Sequence, residues 1–179
     1  ANSYTEEVRR LINEKYGFKK LYSEGLSIRT PLNIDYQMNA IKALRKGIES
    51  YDKRHGWRGA ITNKFENTNW KTKLKNLKID PTLDWKKAEI ITVNNNSINF
   101  RTLKGTNGEI LSSDLKWVLK SKKLINDNFK VGDFIFVKKE KNTWTLKQYP
   151  IVNGGIVALD PFTGHIKALV GGFNFKSSE

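Results

Sequence analysis

Apolar residues in this chain recur at helical spacing up to residue 51 and mostly at period two beyond residue 86. In residues 5–16, Val8, Leu11, Ile12 and Tyr16 follow Thr5 as N-cap and the early acids Glu6 and Glu7, with Gly17 behind them. That pattern predicts a short amphipathic helix ended by the glycine. Leu26, Ile28 and Thr30 alternate with polar residues before Pro31, which predicts a short strand. From Asn33 as N-cap, Ile34, Met38, Ile41, Leu44, Ile48 and Tyr51 advance by threes and fours. They predict a long helix that packs along this stripe.

Residues 61–83 are polar and read as a connection, with a helical piece around Trp70, Leu74 and Leu77 that ends before Asp80 and Pro81. Five short runs then alternate or turn wholly apolar, at 88–93, 97–103, 109–111, 133–137 and 143–146. Asn94 to Asn96, Gly105 with Gly108, Gly132 and Asn142 punctuate them, and residues 114–119 suit one helical turn. Five strands with a short helix between them suit a small OB-like barrel.

The last segment reads as a β-hairpin whose arms, 155–159 and 165–170, flank the turn Asp160-Pro161-Phe162-Thr163-Gly164. Its first arm is almost wholly apolar, so burial on both faces is expected, and the hairpin needs more cover than the residues after it supply. The fold class is therefore α+β: a small OB-like β-barrel flanked by N-terminal helices and a closing hairpin. The expected division is 1–60, mainly helical; 61–150, the OB-like domain; and 151–179, the opening of a domain that the chain does not complete.

Composition excludes several classes. The chain has 179 residues, with 5 Trp, 6 Tyr and 9 Phe, enough aromatic area to build a core and set disorder aside. Without cysteine there is no disulfide, zinc thiolate or cysteine nucleophile, and His55 and His165 are too few for a His-rich metal centre. No window approaches the length of an apolar membrane span. The 32 Lys and Arg against 18 Asp and Glu give a net charge of +14, which would attract polyanions. Lysines recur throughout, however, so the charge reads as compositional habit and selects no partner.

Three segments taken in order resemble the class A penicillin-binding proteins. Tyr22-Ser23-Glu24-Gly25-Leu26-Ser27-Ile28-Arg29-Thr30-Pro31-Leu32 with Gln37 is similar to that family's linker pattern, Pro31 standing where a second threonine is usual. Tyr51-Asp52-Lys53-Arg54-His55-Gly56-Trp57-Arg58-Gly59 is similar to the sequence leading into the family's OB-like insert. Gly155-Ile156-Val157-Ala158-Leu159-Asp160-Pro161, followed by Gly164, Ala168, Gly171 and Gly172, resembles the opening hairpin of its transpeptidase domain.

The resemblance implies a non-catalytic segment of a bifunctional peptidoglycan synthase, a glycosyltransferase and D,D-transpeptidase of cell-wall biosynthesis. Such a parent is anchored in the bacterial cytoplasmic membrane, with this segment in the periplasm or outside the cell. The OB-like domain would act as a docking or regulatory module, with envelope regulator or activator proteins as partners and peptidoglycan or its precursors met through the parent enzyme. The glycosyltransferase half is expected before residue 1 and the Ser-x-x-Lys nucleophile after Glu179. No catalytic, cofactor-binding or metal-binding residue is therefore assigned, and no cofactor is expected. Strand edges left open at the end of the chain make a dimer the expected assembly.

Short matches to nucleophile motifs do occur, as Ser50 with Lys53, Ser113 with Lys116, and Ser97 with Asn99, but their order is wrong and no Lys-Thr-Gly follows. Asp133 and Asp160 sit near turns and read as turn residues, Gly105 to Gly108 as a hairpin turn, and Trp57 as an anchor between two glycines. One alternative comes from another class: a basic OB-fold nucleic-acid-binding module, with Phe100, Trp117, Phe134, Phe136 and Trp144 stacking bases. Phe134 and Phe136 read as core at period two, so nucleic acid is not the expected partner.

Overall fold

A computed structural model describes residues 2–23, 25–119 and 124–173. The last six residues of the expected 151–179 segment, and Glu24 of the linker pattern, lie outside these. Two compact units result: Ala1–Ser50 with Pro150–Glu179, and Tyr51–Tyr149. No helix among the described residues is long and apolar enough to cross a membrane.

In the first unit, α1 (Asn2–Ser23) starts earlier than the sequence suggests, so Thr5 lies inside the helix and caps nothing. Glu6–Arg9 and Glu7–Arg10 pairs run along its surface one turn apart. Gly17 leaves helical geometry, at φ 82°, and so ends the first helical stretch as expected, with a second stretch of six residues following the kink. The strand expected at 26–30 does not form. Its backbone pairs with no strand among the described residues, so alternation alone has nothing to bond to, and Leu26 and Ile28 stay exposed.

The long helix α2 (Ile34–Arg54) begins as expected, with Asn33 Oδ1 accepting from Tyr36 N at 3.0 Å. Its buried face is rotated from the expected one. Ile34 and Met38 are 73% and 48% exposed, whereas Gln37, Ala40, Leu44 and Ile48 are buried. Gln37 decides the rotation. Its carboxamide donates to Leu169 O and accepts from Leu169 N, both at 2.9 Å, and so behaves like a neighbouring strand.

Strands β7 (Gly155–Leu159) and β8 (Ile166–Gly171) form the expected antiparallel hairpin, with Val157 opposite Leu169. The outer edge of β8 is satisfied by other elements: Lys167 O accepts from Asn33 N, Gly171 N donates to Ser3 Oγ, and Tyr4 OH donates to Ile166 O. Ala168 and Val170 turn inward, opposite Ala158 and Ile156. Burial of both faces of β7 is not observed, because Val157 and Leu159 point the other way, where no described element covers them, and are 55% and 59% exposed.

The second unit holds one antiparallel sheet in the order β1-β5-β2-β3-β4, with β6 also on β5. The five expected strands are β2 (Lys86–Val93), β3 (Ser97–Thr102), β4 (Asn107–Leu111), β5 (Asp133–Glu140) and β6 (Thr143–Lys147). A short β1 (Thr62–Asn63) escapes sequence reading because two residues carry no period. The helical turn expected at 114–119 is a 3₁₀ turn, Ser112–Leu115, and α4 (Ile125–Asn128) follows. The α+β, OB-like architecture is therefore observed, although β4 and β6 do not pair among the described residues, so the barrel is not closed. Trp144 of β6 crosses that gap: a Cβ on Gly108 of β4 would stand 2.8 Å from its indole nitrogen.

Inside the curled sheet lie Ile90, Ile98, Phe100, Ile110, Ile135, Val137 and Leu146, plugged by Leu115, Ile125 and Phe129. Alternation along β2 buries Ile90 and leaves Ile91 exposed, and a bulge between Ile90 and Thr92 shifts the register with β3. Strand β5 is covered on both faces. Its outward Phe134 stacks on Trp70 at 5.0 Å, and Phe136 packs near Trp85 and Tyr149. Trp70 and the buried Leu74 belong to α3 (Trp70–Asn76), so this short helix lies on the outer face of the sheet.

Candidate functional site

The segment Tyr51 to Gly59, singled out by sequence, forms one half of a clamp. Gly56 and Gly59 both adopt positive φ, at 92° and 95°, which lets the chain turn sharply twice within four residues. Between them Arg58 reaches back to Asp52, with Nη1 and Nη2 donating to the two carboxylate oxygens at 2.8 and 3.0 Å. Asp52 is a buried carboxylate. The other half is Gln148, whose Nε2 donates to Asp52 Oδ2 at 2.8 Å and to Gly56 O at 3.1 Å. Its Oε1 accepts from Arg58 N at 2.8 Å, and Arg58 Nη2 also donates to Tyr149 O.

This arrangement ties the strand of chain entering the second unit to the strand leaving it. Trp57 fulfils the anchoring role expected of it, with its ring 5.7 Å from Trp117 and 5.6 Å from Phe129. Asp52 lay in the segment singled out by sequence but was given no role, and Gln148 was not found by sequence reading. They lie 96 positions apart, and neither stands in a pattern that names the other.

Other expected turn residues behave as turn residues. Asp133 accepts from Asn63 Nδ2 at 2.7 Å and from Lys130 N at 2.8 Å. Asp160 accepts from Phe162 N and Thr163 N, and these backbone bonds hold its carboxyl below the usual range. Gly105, at φ 89°, turns the chain between β3 and β4. Of the Ser and Lys pairs, Lys53 places its ammonium 5.2 Å from the centre of the Trp117 ring, Ser113 is exposed on the 3₁₀ turn and Lys116 just after it, and Ser97 is buried in β3. Among the described residues no group of three or more His, Cys, Asp and Glu is placed to hold a metal.

Two lysines are structural. Lys87 donates to the carbonyls of Leu74 and Leu77, closing the C-terminal end of α3, and burial lowers its pKa. Lys147, itself buried, pairs with Glu140 at 2.9 Å. Partial burial is the largest single influence on the Glu140 carboxyl and raises its pKa, but the Lys147 bond and the charges of Lys147, Lys138 and Lys53 together outweigh it and leave the pKa lowered. The aromatic residues offered for base stacking are core: Phe100, Phe134, Phe136 and Trp144 are buried, and Trp117 packs edge-on to Trp57. A polar cleft of about 400 Å³ is lined by residues including Asn63, Asn67, Lys73, Asp127 and Lys130.

A family model described as the penicillin-binding protein OB-like domain matches residues 57–152. Penicillin-binding protein 1A of Rickettsia felis is 36% identical over 175 residues, 97% of this chain and 22% of that protein. The protein of the same name from Neisseria gonorrhoeae is 28% identical over 96% of this chain and 22% of its own length. The crystal structure of penicillin-binding protein 1A from Haemophilus influenzae matches with a TM-score of 0.75 at 28% identity, over 99% of this chain and 27% of that one. The chain thus spans about a fifth of the length of these curated relatives.

Proposed function

This chain belongs to the penicillin-binding proteins that carry the OB-like domain, and from that premise we propose that it is a non-catalytic segment of a bifunctional peptidoglycan synthase. In this reading the parent polymerises glycan and cross-links peptides from the cytoplasmic membrane, with this segment on the periplasmic or outer side. The OB-like unit docks an envelope regulator, and peptidoglycan is met only through the parent's catalytic domains.

One observation carries the reading. The unit Tyr51–Tyr149 interrupts the chain of the other unit, and the Asp52, Arg58 and Gln148 clamp fastens its incoming and outgoing strands together. That is how a module can be inserted without disturbing the fold that hosts it. Nucleic acid gains no support, since four of the five aromatic residues that would stack bases are buried and the fifth is packed against Trp57.

The test replaces residues 60–147 of the full-length enzyme with a short Gly-Ser linker and measures glycan polymerisation and D,D-transpeptidation with and without envelope extract, using acylation by a fluorescent penicillin as the fold check. Retention of basal activity together with loss of stimulation is expected. Loss of both basal activities with acylation intact would make the unit part of the catalytic machinery and overturn the reading.

A further inference from the structure

We propose that the outer surface of α3, with Lys71, Lys73, Lys75 and the following Lys78, docks on a membrane surface of anionic phospholipid headgroups. The net charge is not spread evenly over the chain. Residues 51–149 hold 21 Lys and Arg against 10 Asp and Glu, a net of +11 out of +14. Within that unit, four lysines fall in the eight positions 71–78, and no carboxylate lies between Glu66 and Asp80.

The structure makes a surface of them. Trp70 and Leu74 fix α3 to the sheet through Phe134, and all four lysines are exposed. None of the four pairs with a carboxylate among the described residues, whereas Lys64, Lys130 and Lys147 pair with Glu89, Glu66 and Glu140. Three ammonium groups on α3, of which Lys73 also lines the polar cleft, and a fourth two residues beyond its end produce a local positive field, and that field selects a polyanion.

Two features favour a bilayer over other polyanions. Bases would need a row of exposed rings to stack on, and Phe100, Phe134, Phe136 and Trp144 are buried while Trp117 packs against Trp57. Lys71 lies 5.4 Å from the ring centre of the half-buried Trp70, so a cation and an indole edge are presented together, as at the headgroup level of membranes. Lysines act as point charges without the two-pronged geometry of arginine, which suits a diffuse array of headgroups more than one fixed phosphate.

The whole chain is sedimented with vesicles of phosphatidylcholine, with and without about 30% phosphatidylglycerol, at low and near-physiological salt. Binding is expected only to the anionic vesicles, weakening with salt. Each lysine near the surface contributes about fivefold, so K71Q/K73Q/K75Q/K78Q should bind more than about 100-fold more weakly. The variant K104Q/K116Q/K139Q/K141Q removes the same charge elsewhere on the unit and should lose far less. K71Q/K75Q, expected to lose about half the effect on a logarithmic scale, and the thermal unfolding of each variant separate lost charge from lost fold. Equal binding to neutral vesicles, equal loss in both quadruple variants, or tighter binding to polyglutamate or single-stranded oligonucleotide at the same salt would overturn the proposal.

Discussion

At the scale of single residues, the second unit depends most on groups that satisfy one another out of water. Asp52 is the clearest case, a buried carboxylate whose oxygens receive Arg58 and Gln148. Removing the guanidinium leaves that charge short of two donors, which costs far more than a surface pair would. Arg58→Ala is expected to destabilise the unit by about 3 kcal/mol. Arg58→Lys should recover only part of that, since an ammonium cannot reproduce the bidentate geometry. Urea denaturation followed by tryptophan fluorescence measures both, and an unchanged midpoint for Arg58→Ala would show that the clamp is not structural.

Elements are held by the same economy of backbone donors and acceptors. Strand β8 ends its sheet, yet α1 and α2 serve its outer edge, Gln37 most directly with one bond in each direction to Leu169. Sequence periodicity places apolar residues on α2 but gives no reason to turn Gln37 inward, because its partner is a backbone 132 residues away. Gln37→Ala leaves the Leu169 amide and carbonyl unsatisfied, a cost of about 1–3 kcal/mol for buried groups. Hydrogen exchange should show the Leu169 amide losing protection first, with amides of β5 in the other unit unaffected.

At the scale of the whole molecule, the chain forms two units with very different charge, and one of them presents an open edge. Leu169 bonds outward to Gln37, so Val157 directly opposite it also points its N–H and C=O away from the hairpin. No strand covers that edge among the described residues, and Val157 is exposed there. Two copies of the chain can pair through such an edge about a two-fold axis. Light scattering across a concentration series should detect this dimer. Val157→Pro, which removes the outward donor without touching the hairpin's own bonds, should shift the chain to monomer.

The division between sequence and structure follows from the range of the interactions. Local period and turn chemistry located the long helix, α3, the five strands from β2 to β6 and the closing hairpin, because each depends on neighbours a few positions away. The turn roles of Asp133 and Asp160 and the anchoring of Trp57 were legible for the same reason. Only the tertiary structure decided that residues 26–30 stay unpaired, that α2 buries Gln37 instead of Met38, and that β7 keeps one face exposed. It alone brought Asp52, Arg58 and Gln148 together, since strand pairing, helix rotation and a clamp between distant segments depend on partners that no local pattern can specify.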